Sequence, residues 1–284
     1  MQTKKKLSGR MRFLIVWLAV ILVLLALIAC LLAFGPPRDM SGESIKDVMR
    51  DGVLHEHDKI NLFGLAVNPA LLSAYTVTAL LLCAAALLRI FAVPRFRYTP
   101  SRFQAVLEKA VSFFSDMAKQ NSPAATSFVG AYIFSAGAYI FFGTLFELCG
   151  VSVFTLSGGH TYLPAPLSDI NAAIAMGVLS YLVILGGGLV HNGARGVLGT
   201  LKDFSLPLSM SFRLFGALLS GLLVTELVYY YVALSFVLPV VVGVLFTLLH
   251  ALIQTYVLAT LVSMFYGEAA QPRLPAKSKE KKVH

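Results

Sequence analysis

The chain has 284 residues, of which 57% are hydrophobic and only 13% charged, with a formal net charge of +9. A soluble protein of this size keeps about a quarter of its residues charged. Apolar runs of bilayer length recur along the sequence, so a soluble enzyme is excluded and a polytopic helical membrane protein is expected. The short alternating segments of a transmembrane barrel are absent, and the basic residues gather in loops and tails, where membrane orientation explains them without any nucleic acid.

Six spans are expected in an all-α fold. The first covers roughly residues 13–34 and is preceded by Lys4, Lys5, Lys6, Arg10 and Arg12. Its apolar run is too long for an ordinary signal peptide, so it reads as a retained signal-anchor helix. Leu27-Ile28-Ala29-Cys30 looks like a lipoprotein processing site, but an apolar run follows Cys30 instead of a polar tether, which argues against lipidation. Residues 35–61 form a polar, net acidic segment. The second span covers roughly 71–93, and a basic connector with Arg95, Arg97, Arg102, Lys109 and Lys119 follows. Within it, Phe103, Val106, Leu107, Ala110, Val111 and Phe114 recur at helical spacing, as in an amphipathic helix on the membrane surface.

The third span covers roughly 127–149. The following loop, VSVFTLSGGHTYLPAPLS, holds no Lys or Arg. The fourth covers roughly 170–190, and the short loop HNGARGVLGTLKD brings Arg195 and Lys202. The fifth and sixth lie between Ser205 and Tyr266, ahead of a basic tail from residue 270 to 284. Basic segments fall on alternate connections, which puts both termini in the cytoplasm. Gly186-Gly187-Gly188 lacks the phosphate-loop pattern and lies within a span, where close helix packing explains it. Cys30, Cys83 and Cys149 sit at unrelated spacings, so neither a disulfide framework nor a metal site is expected.

Five ionisable residues fall in or beside the last four spans: Glu147, Asp169, Arg213, Glu226 and His250. A charge at the bilayer centre costs about 2.5–3.5 kcal/mol on insertion scales. Arg213 is the sharpest case. Either it snorkels to the interface, or it faces a carboxylate on another chain with a charge that stays fixed at physiological pH. Glu226 and His250 titrate, as a proton path requires, or form a buried structural pair. Asp169 reads equally as a helix N-cap.

These residues sit in recognisable strings. PLSMSFRLFG resembles the ISLSLRLFGN signature of subunit a of F-type ATP synthases. PLSDINAAIAM, with Asp169 and Asn171, resembles that family's PTADLNTTLAL. IQTYVLATLVSMFY, with Gln254, resembles LQAYVFTLLTLIYL in the last span. LFELCG matches the end of the preceding span, and VPRFRYTPSRFQAVLEKAVSFF resembles the cytoplasmic VPSGLQNLLELVVEFI. The matches run in family order from about Leu62 to Ala269.

The resemblance implies a stator without catalytic activity or cofactor of its own, set in a bacterial inner membrane. Its last two spans would form a long hairpin against the c-ring. Its other partners would be subunit b of the peripheral stalk and the remaining synthase subunits. Two half-channels would lead protons, or sodium ions, to and from the ring carboxylate, with Arg213 separating them. At ~4 Å and an effective dielectric of 20, an opposite charge gains roughly 4 kcal/mol before desolvation.

The departures matter. The family's Asn after RLFG is Ala217, its frequent acid further along is Leu222, and its polar position before the last-span Gln is Thr247. Helical geometry puts Glu226 on the face of the missing acid. The resemblance implies that Arg213 lies level with Gln254, and four residues along each of the antiparallel spans then put His250 level with Ala217, so Glu226 and His250 are expected to serve the outer half-channel together. Asp169, Asn171 and Glu147 are further half-channel or structural candidates. Residues 1–34 are additional to the common region, here residues 62–269. A stand-alone secondary transporter or channel with an intramembrane arginine is the competing reading; the transporter predicts repeated halves, and no repeat is seen.

Overall fold

The computed structural model describes residues 60–62, 65–154, 160–230 and 238–271. The expected first span, the polar segment up to residue 59 and the basic tail lie outside these residues. Six α-helices account for most of the described chain: α1 (Pro69–Leu87), α2 (Arg102–Asn121), α3 (Thr126–Phe146), α4 (Ile170–Leu201), α5 (Ser205–Tyr230) and α6 (Leu238–Ala270). Two short antiparallel hairpins depart from the all-α expectation. β1 (Ile60–Leu62) pairs with β2 (Leu65–Val67), and β3 (Ser152–Phe154) pairs with β4 (His160–Tyr162). Each is only three residues per strand and lies in a connection, so the fold class stands.

Four stretches are long and apolar enough to cross a bilayer: Pro69–Arg95, Pro123–Cys149, Ile170–Leu201 and Gly243–Ala270. α5 adds 26 residues, or ~39 Å of helix at 1.5 Å per residue. The ends follow local chemistry. Asn68 caps α1 by accepting from the Ala70 N–H at 3.0 Å, with Pro69 at the first helical position. Ser101 caps α2 by accepting from the Gln104 N–H. The third span closes through a short 3-10 turn, Glu147–Cys149, and Gly150 then takes the left-handed conformation that ends it.

The core lies between α3, α4, α5 and α6, around Val129, Ile133, Ile140, Ile184, Met210, Leu214, Leu258 and Val262. α1 packs beside it at its outer end, in a separate cluster of Val77 with Phe146 and Leu163. Beyond Val77 most of its apolar residues are exposed, including Leu80, Leu82 and Leu87, as are Ile90 and Phe91 in the turn that continues it.

α2 is amphipathic, as its periodicity predicts, but its second half is a packed part of the bundle. Phe114 meets Phe134 edge-on and would meet a Cβ added at Gly137, while Ala118 lies against Gly130. Phe113, Met117 and Asn121 reach Tyr256, Thr260 and Ser263 in turn. α2 therefore runs antiparallel to α3 and alongside α6 over several turns. Small residues at Gly130 and Gly137 let the helices approach that closely.

The fourth span corrects the sequence reading. Residues 191–203, expected as a loop, are mostly helical. The chain reverses at Gly193, with φ 59° and ψ −152°, a backbone region essentially reserved for glycine. The returning segment lies back on its own helix: Tyr181 donates to the Thr200 carbonyl at 3.2 Å, and Gly188 faces Gly196 backbone to backbone. Gly187 and Gly188 of the triple glycine are used for packing, as expected, while Gly186 faces open space. A Cβ at Gly187 would lie 2.6 Å from the Tyr266 ring of α6. Asn192 then ties the reversal to the end of α6, donating to the Ala269 and Gln271 carbonyls at 2.9 Å each.

Candidate functional site

Arg213 sits on the exposed stripe of α5 with Phe212, Gly216 and Ser220, while Met210, Ser211 and Leu214 on the opposite side are buried. Helical periodicity explains the split: the apolar i, i+4 positions Met210 and Leu214 pack on the core and carry Arg213 outward. Among the described residues Arg213 makes no ion pair. α6 has its own bare stripe, with Leu245, Leu249, Leu252, Ile253 and Tyr256 exposed. Gln254, also on α6, is only 9% exposed.

One cavity lies on the outer side of Arg213. It is about 20 Å³ and is lined by Thr144 and Glu147 at the end of the third span, Ala217, Leu218 and Gly221 of α5, and Phe246, Thr247 and His250 of α6. Ala217 is one turn beyond Arg213, ~6 Å along the axis. The His250 ring stacks on Phe246, with centroids 5.8 Å apart and planes at 30°. Its Nδ1 lies 3.0 Å from the Phe246 carbonyl. Thr144 donates its hydroxyl to the Ile140 carbonyl at 2.7 Å, leaving its oxygen free to accept.

A second cavity, of about 220 Å³, lies on the inner side. Its wall includes Thr200 and Lys202 from the end of α4 and the turn after it, Asp203 and Leu206 leading into α5, and Phe265 and Glu268 of α6. Leu206 is about two turns before Arg213 and on nearly the same helical face, ~10 Å away along the axis. The α4 reversal builds this cavity, because it brings Thr200 and Lys202 back against the end of α6.

The structure thus gathers Glu147, His250 and Thr247 in one place, with Ala217 opposite the imidazole. It leaves Gln254 one turn inward of His250 and almost buried. Asp169 is the N-cap of α4, accepting from the Asn171 N–H at 2.8 Å, and Asn171 is exposed. Glu226 lies on α5 beyond Gly221, and its side chain is outside the described residues. The sequence reading missed the inner cluster. From the sequence Lys202 is only a loop charge, and neither Asp203 nor Glu268 is singled out there. A signal existed: Glu268 is an acid at the cytoplasmic end of a span, where basic residues are the rule. Among the described residues no cluster of His, Cys, Asp and Glu fits a metal ion. Cys83 and Cys149 are free and exposed.

The family model for the ATP synthase A chain matches residues 73–267, well over half of the sequence. The chain belongs to that family. It is an F-type ATP synthase subunit a, a multi-pass membrane protein and a component of the channel sector Fo that takes part in proton translocation alongside the other synthase subunits. The match begins inside α1 and ends near the close of α6, so Arg213 and the whole outer cavity fall within it, as does the inner cavity apart from Glu268 and Ala269.

Proposed function

We propose that this subunit a forms two half-channels that meet at Arg213 and open onto a rotor carboxylate. The observation that carries the reading is the position of Arg213 on α5 between two polar cavities, one beginning a turn outward and the other ending two turns inward. Neither cavity contains Arg213, and the intervening stretch of α5 is packed on the core by Met210 and Leu214. A fixed cation at that point blocks direct proton passage and favours the ionised form of any carboxylate brought beside it.

The c-ring is the partner that the exposed stripes of α5 and α6 suit, because Arg213 needs an acidic counterpart and the described side chains exposed beside it are mostly apolar or small. In this assignment Gln254, almost buried beside the bare stripe of α6, supports the contact from behind it. Glu226 lies outward of the outer cavity on the approach from the external surface, and Asp169 and Asn171 stand at the outer mouth of α4. Subunit b of the peripheral stalk completes the stator. A bacterial inner membrane is the setting, with residues 1–34 as an anchor preceding an extracytoplasmic segment, the 62–269 membrane domain and the 270–284 tail. Whether sodium replaces the proton is decided by the ring's own ion site.

ATP-driven proton uptake into inverted vesicles carrying the whole complex tests this. Arg213→Ala is expected to reduce coupled uptake to background. A variant that still couples ion flow to ATP turnover would sink the assignment.

A further inference from the structure

We infer that the groove between the inner end of α1 and α2 holds one zwitterionic aminophospholipid, its phosphate on Arg89 and its ammonium on Glu108. The site stands apart from Arg213 and from both cavities beside it, and it does not depend on the half-channel reading.

The groove is about 500 Å³, within the ~300–1,000 Å³ usual for small-molecule sites. Leu88 and Val93 line one side, Leu107 and Val111 of α2 line the other, and α3 contributes Phe134. Arg89, Glu108 and Ser112 are the polar side chains in this otherwise apolar lining. Depth follows from helical rise. Arg89 lies ~30 Å along the axis from Pro69, where α1 begins. That is about the thickness of the hydrocarbon core. The charged part of the groove is therefore level with the inner headgroups, where basic pockets on the cytoplasmic side of a membrane protein hold lipid phosphates.

Local structure preforms the groove. α1 loosens into a π turn at Leu88–Ala92 and a 3-10 turn at Val93–Arg95, which lead the chain toward α2. Gln104, only 5% exposed, then clamps the connector. It accepts from the Arg97 N–H at 3.1 Å and donates to the Arg97 carbonyl at 2.9 Å. Its second amide hydrogen goes to Glu108 at 2.7 Å. The carboxylate is thereby oriented, with acceptor positions to spare.

Charge complementarity selects the occupant. Arg89 and Glu108 are both exposed on this groove, and among the described residues they form no ion pair with each other. A cation and an anion that share a groove without touching suit a ligand that carries both charges. The guanidinium takes two phosphate oxygens in a fork, and a primary ammonium donates to the carboxylate. Ser112, one turn along α2 from Glu108, offers a hydroxyl to the glycerol ester. A purely anionic lipid would bring its charge against Glu108, and a choline headgroup has no N–H to give it. An apolar helix laid in the groove would bury both charges unpaired, at a cost of several kcal/mol per ion.

The test uses the complete synthase in phosphatidylcholine vesicles that hold a trace of lipid with a photoreactive acyl chain. The probe is phosphatidylethanolamine in one arm, phosphatidylglycerol in the second and phosphatidylcholine in the third. Labelled peptides are measured per assembled complex. The ethanolamine probe should label residues 85–112 at least about threefold more than either other probe, the scale of one or two ion pairs at a solvent edge. Arg89→Gln and Glu108→Gln should each bring that labelling down to the choline level. Glu108→Gln alone decides if Arg89→Gln does not assemble. Equal labelling by all three probes would mean ordinary boundary lipid, and preference for the glycerol headgroup would mean an anionic site. Absence of label from these peptides would mean that a protein segment covers the groove. Each of these results would overturn the proposal, as would undiminished ethanolamine labelling in Glu108→Gln.

Discussion

The two cavities beside Arg213 are built differently. The outer one is about 20 Å³, bounded by side chains from three helices, and holds one carboxyl and one imidazole. The inner one is about 220 Å³ and holds Lys202, Asp203 and Glu268, charges of both signs. A cavity with room for one water passes protons only through groups that titrate. A roomier one admits several waters and needs its charges mainly to gather protons and keep the space hydrated. Single residues should therefore matter more on the outer side than on the inner side, and backbone closure should matter more on the inner side.

That contrast can be broken from either end. The largest effect is expected at the α4 reversal. Gly193→Val would force a β-branched residue into a glycine-only backbone region, at a cost of about 1–3 kcal/mol. Assembled complex recovered from membranes should fall several-fold, and normal recovery would mean that the reversal is not needed to close the inner side. Gly196→Ala comes next, because its Cβ would collide with the Gly188 carbonyl, an overpacking cost of about 1–3 kcal/mol. Thermal inactivation of the purified complex measures it. Asp203→Asn and Glu268→Gln should each reduce proton uptake only about two- to threefold, since neither is the sole polar group in its cavity. A tenfold loss from either would make the inner side as single-file as the outer. The smallest effect belongs to Asn192→Ala, which removes two hydrogen bonds to the end of α6 and costs about 1–2 kcal/mol, visible as a modest fall in inactivation temperature.

Much of this was legible before any coordinates. Apolar runs mark the spans because lipid leaves no other option for the backbone. Arg213 stands out because a cation in such a run is expensive, and the strings around it fix the family. The positions of His250 and Ala217 along antiparallel helices follow from helical rise once the resemblance sets Arg213 level with Gln254, and both line the outer cavity. What sequence could not supply was the third wall. Glu147 belongs to a span distant in sequence, and no periodicity within α5 or α6 reports which side of the pair that span covers. The α4 reversal was illegible for another reason. HNGARG has the polar and glycine content of a loop, and the same glycines serve equally well in a tight backbone contact. The sequence also shows α2 as amphipathic without showing that half of it is wedged against α3 and α6.

The contact between Gly188 and Gly196 has a mechanical side. In the proposed complex α5 is pushed sideways each time the rotor advances, and whatever stands behind it must not yield. Side chains yield by changing rotamer, but two backbones touching at glycines have no rotamers to change. The doubled end of α4, pinned by Asn192 to the end of α6, therefore works as a brace. It ties the helix bearing Arg213 to the helix bearing His250, so the pair can take up load as one stiff body.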